Sequence, residues 1–173
     1  DYFPEKMSVD HATGFTVEYH NSYKIVNNTA AAQTFVLYQC GTPVPSVSGV
    51  DTYISVPVSN VGIATSIIIP WIEMLDERES IAMFAPRNKA LSHSKCLAEL
   101  NRPEMTDASD SESLDLTFGS SSFTYHNAIA MTAFSESSVI TEMEYIEFIS
   151  LFYNKEALGM EIFDHMKEQY ECN

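Results

Sequence analysis

Residues 136–171, ESSVITEMEYIEFISLFYNKEALGMEIFDHMKEQYE, decide how the chain is read. From Val139 to Tyr153 apolar side chains fall on almost every helical face, a distribution that a helix carries only when protein surrounds it. From Leu158 the pattern thins to Leu158, Ile162, Met166 and Tyr170, a four-residue spacing that draws one apolar stripe between charged faces. Ser137 or Ser138 is suited to cap the start, and Glu142 and Glu144 sit where the helix dipole favours negative charge. The pattern predicts one long C-terminal helix, roughly 50 Å at about 1.5 Å per residue. Its first half is expected to be buried and its second half amphipathic, with Phe148, Phe152, Leu158, Ile162 and Met166 forming an interface.

The remaining composition bounds the function. A chain of 173 residues with 45% hydrophobic and 12% aromatic content is large enough for a real core. Its formal charge of −15 opposes binding to nucleic-acid phosphates and to anionic membrane surfaces. The most apolar stretch, Val61 to Leu75, is interrupted by Pro70 and Glu73 and is too short for a transmembrane span. Cys40, Cys96 and Cys172 permit at most one internal disulfide, lack metal-ligand spacing, and leave the redox compartment open. Asn27-Asn28-Thr29 is a glycosylation triplet of a kind that also arises by chance. A chain opening Asp1-Tyr2-Phe3-Pro4 is expected to be a processed or trimmed product.

Ahead of the helix the chain has two grammars. Phe15 to Tyr19 and Tyr23 to Val26 flank His20-Asn21-Ser22 as a hairpin, and Thr34 to Gln39 adds a third β run, making an antiparallel meander that ends in the Pro-rich bridge 41–46. From Thr52 onward short β runs (52–56, 61–65, 80–84, 114–118 and 128–132) alternate with helical stretches at 68–75 and 94–100. That alternation is the pattern of a mainly parallel sheet with flanking helices. The Ser- and Asp-rich stretch 105–113 reads as a solvated, mobile loop. The fold class is therefore α/β.

The order of these segments resembles a known family. Asp1-Tyr2-Phe3-Pro4-Glu5-Lys6, Gly14-Phe15-Thr16-Val17-Glu18-Tyr19 and Val36-Leu37-Tyr38-Gln39-Cys40-Gly41-Thr42-Pro43 resemble the opening of class III periplasmic solute-binding proteins of ABC transporters, the iron-siderophore and corrinoid type. Ile54 to Val58, Val61 to Ser66 and Leu114 to Gly119 resemble that family's next strands and loops, and Glu144 to Ala157 looks like the start of its interdomain spine helix. The resemblance implies an extracytoplasmic, periplasmic-type location and a metal chelate, an iron-siderophore or corrinoid, held in a cleft between two lobes. It also implies delivery to an ABC permease and no covalently bound cofactor. It divides the chain into a β meander over 1–45, an α/β ligand-binding lobe over 46–135 and the spine helix over 136–173. A second lobe is expected beyond the helix, in a longer protein or on a separate chain, or else replaced by a partner protein on the spine.

Candidate site residues follow from sheet physics. Ligands of open α/β sheets lie outside the carboxyl ends of the strands. That places Thr65 and Ser66, Ala85 to Lys89 with the cationic pair Arg87 and Lys89, Gly119 to Ser122 with Ser120 and Ser121, and Phe134 to Glu136 at the site. An Arg there can fork onto ligand oxygens or pair with Glu73 or Asp76 at the surface. Trp71, the sole Trp, is suited to stack on a ligand or to sit at a lobe edge. No His pair at i, i+4 supports a protein-made metal site. No GxSxG, Walker, HExxH or GxGxxG motif is present, so a binding protein is expected rather than an enzyme. The rival reading is a repurposed lobe serving as an assembly subunit of a larger protein complex.

Overall fold

The computed structural model describes residues 1–86, 88–91, 94–120 and 124–172. The chain forms two compact units: Asp1–Pro57 with Thr132–Asn173, and Val58–Met131 between them. The architecture is mixed α/β, as the two sequence grammars predict.

In the first unit, β1 (Phe15–Tyr19), β2 (Tyr23–Asn28) and β3 (Gln33–Gln39) make the antiparallel meander, and β4 (Thr52–Val56) joins it parallel to β3. The expectation that residues 52–56 open the parallel sheet is thereby corrected. Register explains the core face: Val17 stands opposite Val26, Val26 opposite Phe35, and Leu37 opposite Ile54. Side chains directly across a ladder point to the same face, so these residues pack as one layer. Val36, on the opposite face beside Ile25 and Tyr53, is equally buried.

The apolar layer is closed by α5 (Tyr145–Tyr153), every residue of which is buried. Phe148 meets Phe15 and Phe35 edge-on at ring centroids 5.1 and 6.1 Å apart, and Phe152 stacks on Phe35 at 5.6 Å. Phe148 and Phe152 therefore belong to the core. Their expected role as interface residues is corrected, because an aromatic cluster of this kind is the sheet's own closure.

The single long helix is also corrected. It is three helices: α4 (Val139–Met143), capped by the Ser138 hydroxyl, then α5, then α6 (Glu156–Glu171). Asn154 ends α5 in the left-handed region at φ 53°, which an Asn tolerates better than most residues. The chain then folds back so that α6 lies against α5, and Gly159 provides the close approach. A Cβ there would stand 2.6 Å from Ser150 Oγ and 2.8 Å from Ser150 Cβ. Leu158, Ile162 and Met166 are half-buried, and Phe163 is buried.

The second unit holds a four-stranded, all-parallel sheet in the order β6-β5-β7-β8: β5 (Val61–Ile63), β6 (Ile81–Phe84), β7 (Leu116–Gly119) and β8 (Ala128–Ala130). The central strands β5 and β7 are buried along their whole length, as expected of a parallel sheet. Along the chain come α1 (Ile69–Met74), α2 (Asn88–Leu91) and α3 (Lys95–Glu99), the last capped by Ser94 Oγ accepting from Leu97 N–H at 3.2 Å. The stretch expected to be a mobile loop folds instead as a 3-10 helix over Ala108–Ser113. A reciprocal Asp107/Asp110 capping box holds its start, and Ser111 is buried beneath it. Two hydrogen bonds from Thr106 hold the Asp110 carboxyl below its ordinary pKa. No described helix is long and apolar enough to cross a membrane.

Candidate functional site

In the second unit the strand register brings three carboxyl ends level. Ile63 pairs with Phe84 on one side and Phe118 on the other. The ladder continues one step past the strands, with Ala85 N–H donating to Ile63 O and Ala64 N–H to Phe118 O, both at 2.7 Å. Thr65 and Ser66, the turn before Lys89, and Ser120 consequently leave the sheet along one edge. The strand order reverses here: the chain passes from β5 to β6 on one side and later to β7 on the other. Such a switch point leaves a crevice between adjacent loops.

The individual residues sort as follows. Thr65 and Ser66 are half-buried and lead into the 3-10 turn Ser66–Ile68 that continues into α1. Trp71 is half-buried on α1. Lys89, half-buried on α2, places Nζ 3.3 Å from Asn101 Oδ1 and lines a cavity of about 130 Å³ with Phe84, Leu97 and Ala98. Ser120 directly follows β7 and is half-buried. Arg87, Ser121 and Ser122 lie outside the described residues. Glu73, offered as a surface partner for Arg87, accepts a short hydrogen bond from the Ser94 hydroxyl. A cavity of this size falls below the several hundred Å³ of a typical small-molecule site, so by itself it accommodates one substituent of a larger ligand.

Glu136 has a different role from the one expected. Its carboxylate accepts from the backbone of Thr13 at 3.0 Å and of Gly14 at 2.7 Å, and from the Thr13 hydroxyl at 3.2 Å. These bonds fasten the N-terminal segment of the first unit, which accounts for the charge without a ligand. Glu144 acts likewise one helix further on: 1% exposed, it accepts from Asp10 N–H at 2.8 Å, His11 N–H at 2.9 Å and, at shorter range, Ala12 N–H. A carboxylate held by several backbone N–H groups is a strong, charge-assisted anchor.

The chemistry that sequence reading missed lies in the first unit. Lys24 is fully buried, donating to Leu151 O at 2.7 Å, Asn154 Oδ1 at 2.9 Å and Glu156 at 2.6 Å, with the Phe3 ring 4.5 Å from Nζ. Burial pulls the Lys24 pKa down while Glu156 pushes it back up. Burial, with Glu156 next in effect, raises the Tyr19 hydroxyl well above its ordinary value. The sequence signal for it is a lysine inside a short β run, between Tyr23 and Ile25. Asn27 of the glycosylation triplet sits in the central β2 strand, with Nδ2 donating to Thr16 and Oδ1 accepting from Thr34. Both ends of its amide are engaged. No group of three or more His, Cys, Asp or Glu suited to hold a metal occurs among the described residues.

No protein-family model and no curated protein sequence matches the chain. A solved structure does: an ABC-type Fe3+-hydroxamate transport system protein from Saccharomonospora viridis, with TM-score 0.51 and 12% identity over 67% of this chain and 50% of that one. The chain spans about half the length of the structure it matches. Over that span, its fold is similar to that of a solute-transport protein.

Proposed function

We propose that the chain is a non-enzymatic solute-binding protein, or one lobe of such a protein, of the ABC-transporter iron-chelate type. The observation that carries this reading is the level carboxyl edge of the parallel sheet, with Thr65 and Ser66 after β5, Ser120 directly after β7 and Lys89 on α2 after β6. The likeness to the Fe3+-hydroxamate transport protein supports the same reading at the level of fold. A ferric siderophore is the proposed ligand and a corrinoid the alternative. Lys89 supplies a cation for chelate oxygens in an otherwise acidic chain, and Trp71 on α1 supplies an optical report. In this role the protein works outside the cytoplasm and presents its cargo to an ABC permease.

A second reading, an assembly subunit that docks another protein, draws on Ile67 and Met74. They are 46% and 47% exposed and seven residues apart, about two helical turns.

Titration of the folded chain with a ferric trihydroxamate, followed by Trp71 fluorescence, tests the first reading. A saturable change is expected, with Lys89→Ala weakening affinity by about tenfold, equivalent to roughly 1.4 kcal/mol. If neither the trihydroxamate nor a corrinoid produces a saturable change while circular dichroism shows the fold intact, the solute-binding reading fails and the assembly reading stands.

A further inference from the structure

The α5–α6 contact in the first unit contains a group that neither reading uses. Glu147 lies in the first turn of α5, 3% exposed, and its Oε2 has no hydrogen-bond partner among the described residues. It sits under α6: a Cβ added to Gly159 would stand 3.4 Å from Glu147 Cα, and Ser150 Oγ, beside the same glycine, donates back to Glu147 O at 2.7 Å. Few arrangements are as costly as an unpaired ionised carboxylate in such a place.

The charges around it make ionisation still less favourable. Glu144 at the start of α5, Asp164 on α6 and Asp10 on the N-terminal segment are all acidic and all act on Glu147. From β1 the Tyr19 hydroxyl also feels the Glu147 charge. Glu156, at the start of α6, is paired with Lys24 of β2. The cation further along α6, Lys167, is turned to His11 Nε2 at 3.1 Å, with the His11 ring against Phe163. Lys24 and Lys167 are thus both engaged with other groups.

We propose that the α5–α6 hairpin is a pH-sensitive clasp. α6 closes over the protonated carboxyl of Glu147, and loss of that proton releases α6 from α5 as the pH rises. The hinge for this movement is the Asn154–Lys155 turn, where the left-handed Asn154 ends one helix and Glu156 begins the next.

Burial first, then Glu144, Asp164 and Asp10, raise the Glu147 pKa to about 8 in the closed form. In the open form the hydrated carboxyl returns toward the ordinary carboxylate value and is ionised at neutral pH. Closing therefore takes up a proton, and the closed form is favoured on the acid side. It loses ground as pH rises through the interval between the two values, and the loss levels off above the closed-form value.

Hydrogen exchange of the α6 amides, expressed as protection factors, measures the opening directly, with the amides of α1 as an internal reference for global effects. The opening constant of α6 should rise roughly 50-fold between pH 6 and pH 8 and then flatten. In Glu147→Gln, an uncharged isostere, α6 protection should be independent of pH over the same range. An equal pH slope in the variant, or no slope in the wild type beyond that of α1, would overturn the clasp. Should Glu147→Gln fail to fold, the carboxyl 13C resonance of Glu147 in the unmodified protein decides the matter. A midpoint near 8 is expected, and one in the ordinary carboxylate range defeats the proposal.

Discussion

The two units solve the problem of burying a sheet in opposite ways. The first closes an antiparallel meander with a wholly buried helix, and its core combines large aromatics with buried ionisable groups: Phe15, Phe35, Phe148 and Phe152 together with Lys24, Glu144, Glu147 and Glu156. The second builds a parallel sheet from aliphatic residues with Phe84 and Phe118 among them and Gly62 wedged under Leu114 and Thr117, while Ser94 and Asp107 cap short helices locally and Asp115 accepts from the backbone N–H groups of Ser59 and Asn60. Ionic groups of the first unit reach across more than a hundred residues: Lys24 to Glu156, Asp10 to Glu144 and Gly14 to Glu136. Long-range polar bonds specify one docking of the helices on the meander, whereas the parallel sheet relies on close packing.

The largest expected effect breaks the charged core. Lys24→Met removes the donor that serves Glu156, Asn154 and Leu151 and leaves a buried carboxylate unpaired, at a cost of about 3–5 kcal/mol in urea denaturation. Adding Glu156→Leu should recover most of it. If the double variant is no more stable than the single one, the polar specification of the first unit is wrong.

A smaller effect probes the packed sheet. In Gly62→Ala the new Cβ would stand 2.7 Å from Leu114 Cδ1 and 2.8 Å from Thr117 Oγ1, so overpacking should cost about 1–3 kcal/mol. Trp71, in the same unit, reports it directly by fluorescence. The smallest effect concerns local capping. Ser94→Ala removes the acceptor for Leu97 N–H and the hydroxyl bound to Glu73, and should lower the thermal midpoint by the equivalent of about 1 kcal/mol. A loss as large as that of Lys24→Met would erase the contrast between the units.

Much of this fold is legible in residue order. Period-two alternation marks the strands of the meander, apolar runs mark β5 to β8, and the all-round apolar pattern marks the surrounded helix α5, but not Val139–Met143, which form α4 with no buried residue. The strand ends that carry Thr65, Ser66, Lys89 and Ser120 follow from the same reading, because a parallel sheet places its loops by topology. The anchoring bonds of Glu136 are not legible there, because its partners, Thr13 and Gly14, lie more than a hundred residues away.

Local sequence by itself determined the type of most elements, the 3-10 helix Ala108–Ser113 excepted, since propensity and periodicity are properties of neighbouring residues. Tertiary structure alone decided three things: that residues 52–56 join the meander, that Lys24 points inward, and that the final helical stretch breaks at Asn154. Each turns on a long-range partner. A strand chooses its sheet by the edge that receives it. A buried lysine is tolerated only when three acceptors converge on it, and a helix folds back only where a glycine such as Gly159 lets the second half approach the first.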